Sequence, residues 1–201
     1  LKFLDNDILG CKEYLSASSK IKDKHSPEYR NEKVYRFYLS KILKSREVYP
    51  ADDEDNGNRE TLHVIGESHS LTSHQLVIQT SGNKYLCKSS LIQNCRQWEL
   101  GRADSNPFKV KFESIFNLLP SASQVLLAIG EIDCRIDGGI LRHKAKNKEK
   151  DLSELILSTV RNYLSYVASI NSYRRHRITI QGVPCPNIET GNYSKDEIAT
   201  L

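Results

Sequence analysis

The stretch at residues 61–75, TLHVIGESHSLTSHQ, decides the fold of this chain. Leu62, Val64 and Ile65 are the apolar, partly β-branched content of a buried strand, and Gly66 ends this strand. The apolar positions that follow recur at nearly helical spacing, so the sequence predicts a strand, a tight turn and then a helix over residues 71–80. Ser68 lies at the turn, where the predicted helix begins.

Two interpretations of Ser68 fit this position. As a helix cap, its hydroxyl would accept a hydrogen bond from a backbone N–H two or three residues on, which contributes about 1 kcal/mol and needs no further role. As a nucleophile, it would be exposed at the carboxyl edge of a sheet, beside N–H groups that can stabilise an oxyanion. Strand–Gly–Ser–helix turns are common in α/β folds, so this stretch leaves both interpretations open.

Apolar strands alternate with helical patterns from Thr61 onward. The clearest helix follows Asp151, where a long apolar face begins and Glu154 three residues on indicates a capping box. This alternation predicts an α/β fold in which a parallel sheet has helices on both faces. The predicted strands cover residues 62–65, 85–88, 124–129 and 177–181, and the predicted helices cover residues 71–80, 108–118 and 152–173.

Unusual residues follow the predicted strands at their carboxyl ends. Ser68 and His69 follow the first strand, GEIDCR (residues 130–135) follows the third, and GVPCPN (residues 182–187) follows the fourth. In open α/β sheets, ligands bind beyond these ends. We therefore expect the functional site at this edge.

The regions before Thr61 have a different pattern. Residues 1–50 predict a helical appendage, in which Ser26 and Pro27 suit a helix start. Residues 51–60 are acidic and rich in turn formers, which is typical of a linker. The α/β domain is expected over residues 61–201.

The composition favours a cytoplasmic globular protein. The 201 residues carry a net charge of +4, and no apolar run approaches the roughly 20 residues that a membrane span needs. Asp5 and Asp7 interrupt the region where a secretory signal would need an apolar core. The five cysteines form no C-x-x-C pair, so we expect reduced thiols, no metal and no cofactor.

Two basic clusters stand out, RRHR at residues 174–177 and RHKAKNKEK at residues 142–150. The first suits the end of a long helix, where cations complement the helix dipole, and the second suits a solvated loop. Neither has interleaved aromatic residues or a DNA-binding motif, so nucleic acid is not an expected partner.

Three blocks between residue 61 and about residue 187 resemble the SGNH, or GDSL-type, hydrolase superfamily. GESHS resembles its Gly-Asp-Ser block, with Glu67 in place of Asp, and GEIDCR occupies the slot of its Gly-x-Asn-Asp block. With CRQWELG (residues 95–101), they resemble a bacterial branch found beside helical-repeat and glycan-related segments. The resemblance implies a flavodoxin-like, three-layer fold.

The resemblance also implies roles for individual residues. In that superfamily a serine attacks an ester carbonyl, a histidine activates the serine, and backbone N–H groups with an Asn side chain hold the oxyanion. Carried over, Ser68 is the nucleophile and Gly101 is the loop glycine. The Asn slot falls on Ile132, which cannot donate a hydrogen bond, and loss of such a donor costs roughly 100- to 1,000-fold in rate. Asn94 is a substitute by residue type.

The histidine that would activate Ser68 is missing from its usual place. The family's catalytic histidine belongs to an Asp-x-x-His block after the last strand, but no histidine follows His176. We therefore expect residues 61–201 to lack the C-terminal strand and this block. His69 and His74 are alternative bases, although a packed or capping role is more common for a histidine at such positions.

The GEIDCR block places three ionisable side chains within five residues. Glu131, Asp133 and Arg135 are costly to bury unpaired, so they are expected to bind substrate or to form an ion-pair network. Extended backbone would point both acids to one side, within reach of Ser68, and Ile132 to the other. Arg135 would then offset both acids.

The sequence thus predicts a serine esterase or acyl-transfer domain that acts on a small or glycan-linked ester through an acyl-serine intermediate. The alternative is a catalytically silent module that binds a glycan or serves in assembly. The single tryptophan, Trp98, would suit sugar stacking or a core position. Oligomeric state does not follow from the sequence.

Overall fold

The computed structural model describes residues 2–18, 27–48, 59–80, 82–135 and 138–183. Most of the predicted linker and the chain after residue 183 lie outside these residues. The helices are α1 (Ile8–Ser18), α2 (Pro27–Val48), α3 (Gln97–Gly101), α4 (Pro107–Leu118), α5 (Ile140–Lys146) and α6 (Leu152–Arg174). The strands are β1 (Glu60–Gly66), β2 (Val77–Thr80), β3 (Asn83–Leu91), β4 (Gln124–Ala128) and β5 (Arg177–Ile180), and 3₁₀ helices span Ser68–Ser73 and Ile132–Cys134.

The five strands form one sheet in the order β2-β3-β1-β4-β5. β1 pairs parallel with β4 and β4 pairs parallel with β5, whereas β2 and β3 are antiparallel. Gly66 lies opposite Ala128, and Leu127 lies opposite Ile180, so the carboxyl ends of three parallel strands meet at one edge. The α/β class and a mostly parallel sheet are confirmed.

The predicted helix over residues 71–80 is wrong. The chain instead makes the first 3₁₀ helix and then β2, which pairs with β3 from Val77 opposite Leu86 to Thr80 opposite Asn83. Gln75, at a φ of 60°, ends the turn, and its N–H donates to the Cys87 carbonyl at 2.8 Å. Pairing with a later strand thus overrides the local spacing of apolar residues.

The chain divides into two compact units, one of residues 1–60 with 74–87 and one of residues 61–73 with 88–201. In the first unit, α1 and α2 are joined by an ion pair of 2.6 Å between Lys12 and Glu47. The Phe3 ring packs against the ring of His74 at a centroid distance of 5.4 Å. Pro27 begins α2, at the position that the sequence indicated.

The second unit has one apolar core, which side chains of the sheet share with those of α3, α4 and α6. Asp151 caps α6 as predicted, since its Oδ1 accepts from the Glu154 N–H at 2.9 Å. The buried core residues are Ile65, Ile92, Cys95, Leu100, Phe112, Phe116, Leu119, Val125, Leu127, Ile129, Tyr163 and Val167.

The two basic clusters take different structures. RRHR closes α6 at Arg174 and enters β5 at Arg177, as the sequence suggested. Residues 140–146, which include the start of RHKAKNKEK, form α5 rather than a solvated loop. None of the helices in the described parts of the chain is long and apolar enough to cross a membrane.

Candidate functional site

The turn after β1 is set by a close approach between two strands. A Cβ on Gly66 would lie 2.3 Å from the Ala128 carbonyl oxygen, so this position requires glycine. Ser68 begins the 3₁₀ helix immediately beyond and is partly exposed. Ser70 closes the turn, because both its N–H, at 3.0 Å, and its hydroxyl, at 2.7 Å, donate to the Glu67 carbonyl.

A buried glutamate lies beside Ser68. Glu67 is 1% exposed, and its Oε1 accepts from the Glu131 N–H at 3.1 Å. Its Oε2 is buried and has no hydrogen-bond partner among the described residues. The backbone of GEIDCR therefore packs directly against the Ser68 turn, and one carboxylate oxygen there is left unsatisfied.

His69 and Glu131 complete a cluster with Glu67. The Nδ1 atom of His69 lies 3.8 Å from Glu67 Oε1, at ion-pair distance but beyond hydrogen-bond range. One ligand atom from each of the three residues lies within 4.8 Å of the other two, a spacing that could hold a metal ion. The cluster opens on a cavity of about 10 Å³ at the ends of β1, β4 and β5.

The carboxylates of this cluster shift the pKa of His69. The Glu67 carboxylate raises the pKa of His69 above its ordinary value, the more distant Glu131 carboxylate raises it further, and partial burial opposes both. Arg135 compensates Glu131 through a contact of 2.7 Å between Nη2 and Oε2.

Asp133 joins the GEIDCR block to the CRQWELG block. Its carboxylate accepts from the N–H of Gln97 at 2.8 Å and of Trp98 at 3.1 Å, which are the first two residues of α3. The side chain of the N-cap residue, Arg96, makes no capping bond, so Asp133 caps this helix from another segment. Burial raises the pKa of Asp133, and the two N–H donors oppose that rise.

The expected alternation of side chains in GEIDCR is wrong. Residues Ile132–Cys134 form a 3₁₀ helix rather than extended backbone. Glu131 therefore meets Arg135 and the Glu67 turn, whereas Asp133 points to α3. Arg135 does not sit between two adjacent acids as the sequence suggested, because the helical turn separates them.

Two further residues of the predicted site, Gly101 and Asn94, are described by their local packing and backbone conformation. Gly101 ends α3, and a Cβ there would lie 3.0 Å from both the Asn162 Cβ and the Tyr163 nitrogen, so close packing on α6 accounts for the glycine. Asn94 is exposed in the turn after β3, at a φ of 59°. Ile132, in the Asn slot, is buried.

Two further histidines, His74 and His176, are buried, and Cys134 is half-buried. His74 is buried and packs against Phe3. His176 is buried, its Nδ1 accepts from the Ser123 N–H at 3.2 Å, and its Nε2 lies 3.3 Å from the Phe116 carbonyl. Burial raises the pKa of the Cys134 thiol, which disfavours the reactive thiolate.

A larger cleft, which the sequence analysis did not predict, lies on the other side of Asp133. It has a volume of about 260 Å³ and is lined by α3, α5 and α6. The Trp98 and His143 rings meet in its wall at a centroid distance of 5.3 Å, and Arg96 and Lys146 also line it. The sequence signal for this cleft was the RHKAKNKEK cluster, because its first residues lie in α5, which lines the cleft.

The GESHS, CRQWELG and GEIDCR blocks thus meet at one edge of the sheet, through Glu67, Glu131 and Asp133. Known proteins add no assignment to this geometry. The chain matches no protein-family model, and no curated protein sequence matches it significantly.

Proposed function

We propose that this chain contains an SGNH-like, three-layer domain that hydrolyses or transfers the acyl group of a small or glycan-linked ester, with Ser68 as the nucleophile. The observation that carries the proposal is the meeting of the three resembling blocks. They are separated by up to 64 residues in the sequence, yet Glu131 donates its N–H to Glu67, and Asp133 caps α3. These contacts bring polar residues of all three blocks to the edge of the sheet at which Ser68 lies.

The proton of Ser68 needs an acceptor, and His69 is the candidate. Its Nδ1 lies 3.8 Å from Glu67 Oε1, and a small movement of the ring would let that carboxylate accept the Nδ1 proton and leave Nε2 to accept the proton of Ser68. Ser68 Oγ would then attack the ester carbonyl, and the leaving alcohol would take up the proton from His69. Water or a second alcohol would release the acyl group from Ser68.

The turnover should be slow. The family's Asn donor to the oxyanion is replaced by Ile132, which is buried and has no polar side-chain atom. A missing oxyanion donor costs roughly 100- to 1,000-fold in rate. Covalent labelling of Ser68 is therefore a more sensitive test than steady-state hydrolysis.

A fluorophosphonate probe tests the proposal on the full chain. We expect slow labelling that mass spectrometry places on Ser68, that Ser68→Ala abolishes and that His69→Ala reduces at least tenfold. Ser73→Ala is the matched control, because Ser73 lies in the same 3₁₀ helix and its hydroxyl donates to the Ser70 carbonyl. Equal labelling of wild type and Ser68→Ala would reject Ser68 as the nucleophile.

The cleft beside Trp98 favours a second candidate, a catalytically silent module that binds an acidic sugar. The Trp98 and His143 rings offer a surface for stacking, and Arg96 and Lys146 supply positive charge. Trp98 is the only tryptophan, so its fluorescence reports on this cleft directly. An oligogalacturonate should change that fluorescence saturably in Ser68→Ala as well, and a neutral galactose oligomer should not.

A further inference from the structure

We infer that Glu67, His69 and Glu131 form a binding site for one divalent transition-metal ion, Zn²⁺ or Mn²⁺, at the carboxyl edge of the sheet. This inference goes beyond the proposed esterase chemistry, because the observations that carry it do not involve Ser68, although it shares His69 with that chemistry. It rests on an unsatisfied buried carboxylate, on the spacing of the three side chains and on the types of ligand that they supply.

The unsatisfied carboxylate is the strongest observation. The Glu67 side chain is 2% exposed, and one of its oxygens is occupied by the Glu131 N–H. The other oxygen has no hydrogen-bond partner among the described residues, and neither has the Nδ1 atom of His69. Buried polar groups are rarely left without hydrogen-bond partners, and burial of a carboxylate is costly unless a cation pairs with it.

The geometry suits a single small ion. The ligand atoms of the three residues lie within 4.8 Å of one another, so one ion can contact all three with small side-chain adjustments. They line a cavity of about 10 Å³, which has room for about one water-sized particle.

The ligand set indicates the class of metal. Two carboxylates and one imidazole suit Zn²⁺ and Mn²⁺, whereas Mg²⁺ and Ca²⁺ prefer oxygen ligands alone. Arg135 holds the Glu131 carboxylate through contacts of 2.7 Å and 2.9 Å, as outer-shell partners hold metal-ligating carboxylates elsewhere. The two glutamates and Arg135 leave one negative charge for the ion to offset.

Isothermal titration of the full chain, first stripped with a chelator, tests the inference with Zn²⁺, Mn²⁺ and Mg²⁺ separately. We expect one saturable site for Zn²⁺ or Mn²⁺ and at least tenfold weaker binding of Mg²⁺. Glu67→Gln and Glu131→Gln should each weaken binding at least tenfold. Glu67→Gln keeps an oxygen to accept from the Glu131 N–H, and Glu131→Gln alters a side chain that is 20% exposed, so at least one variant should fold.

Matched variants separate this site from others. Glu99→Gln, which removes an acid that pairs with Arg102 at 3.6 Å, should bind the metal as wild type does, and so should Ser68→Ala. Co²⁺ should bind without a thiolate charge-transfer band, which excludes the cysteines as ligands. Wild-type affinity in both glutamate variants, a thiolate band, or no saturable binding of Zn²⁺ or Mn²⁺ would each overturn the inference.

Discussion

Replacement of Asp133 by Ala tests the link between the GEIDCR and CRQWELG blocks. The change removes two hydrogen bonds, at 2.8 Å and 3.1 Å, from the N–H groups of Gln97 and Trp98. Hydrogen bonds to a charged group contribute about 1.5–3 kcal/mol each. Burial of the carboxylate offsets part of this gain, since Asp133 is 4% exposed and burial raises its pKa. We therefore expect the free energy of unfolding to fall by about 3 kcal/mol.

Urea denaturation followed by the fluorescence of Trp98 measures this loss where it occurs, because Trp98 lies in the first turn of α3. Asp133→Asn should lose less, about 1–2 kcal/mol, since its amide oxygen can still accept. Asp104→Ala is the control, because Asp104 forms an exposed ion pair with Arg102, and it should leave the midpoint unchanged. If Asp133→Ala unfolds at the same urea concentration as wild type, Asp133 does not stabilise α3.

Three further experiments test other parts of the fold. Gly66→Ala should cost about 1–3 kcal/mol in urea denaturation, and Gly101→Ala should cost less, because the added Cβ would meet its nearest atom at 2.3 Å in the first case and 3.0 Å in the second. Asp151→Ala should cost about 1 kcal/mol by removing the cap of α6, with a matching fall in the melting temperature. Burial lowers the pKa of the His176 ring in the folded protein. The stability that the neutral ring contributes is therefore complete above about pH 6.5, the pKa of an unfolded histidine, and is lost as the pH falls toward the lower pKa of the folded state. Replacing His176 by Gln should reduce the fall in melting temperature on acidification, although His63, whose pKa burial also lowers, should preserve part of that fall. A fall as steep as in the wild type would show that His176 does not contribute to it.

Local sequence signals predicted four of the five strands in the described residues, and the long helix α6. The β-branched run before Gly66 and the Asp151 cap act within a few residues, so the sequence alone predicts β1 and the start of α6. The segment at residues 77–80 could not be predicted in this way. It becomes a strand because β3, which begins at Asn83, pairs with it, and the spacing of apolar residues does not detect such a pairing.

The candidate site was predictable in location but not in its contacts. The parallel order of the strands indicated that GEIDCR would approach the Ser68 turn, and the Glu131 N–H does reach Glu67. The roles of Glu131 and Asp133 diverge because a single 3₁₀ turn separates them, and no pattern in six residues distinguishes such a turn from extended backbone. The capping of α3 by Asp133 likewise depends on a partner 36 residues away.

The metal site and the serine chemistry compete for His69, which yields one last prediction. Proton transfer from Ser68 needs the proton of the neutral His69 ring on Nδ1, toward Glu67, so that Nε2 is free to accept. A metal ion bound at Nδ1 leaves the neutral ring with its proton on Nε2, which then cannot accept another.

Saturating Zn²⁺ should therefore slow fluorophosphonate labelling of Ser68 at least tenfold in the wild-type chain. In Glu67→Gln, where binding of the ion is weak, added Zn²⁺ should change the labelling rate little. Labelling that stays equally fast in the zinc-saturated wild type would show that His69 is not the base for Ser68, because the ion and the proton cannot occupy the same nitrogen.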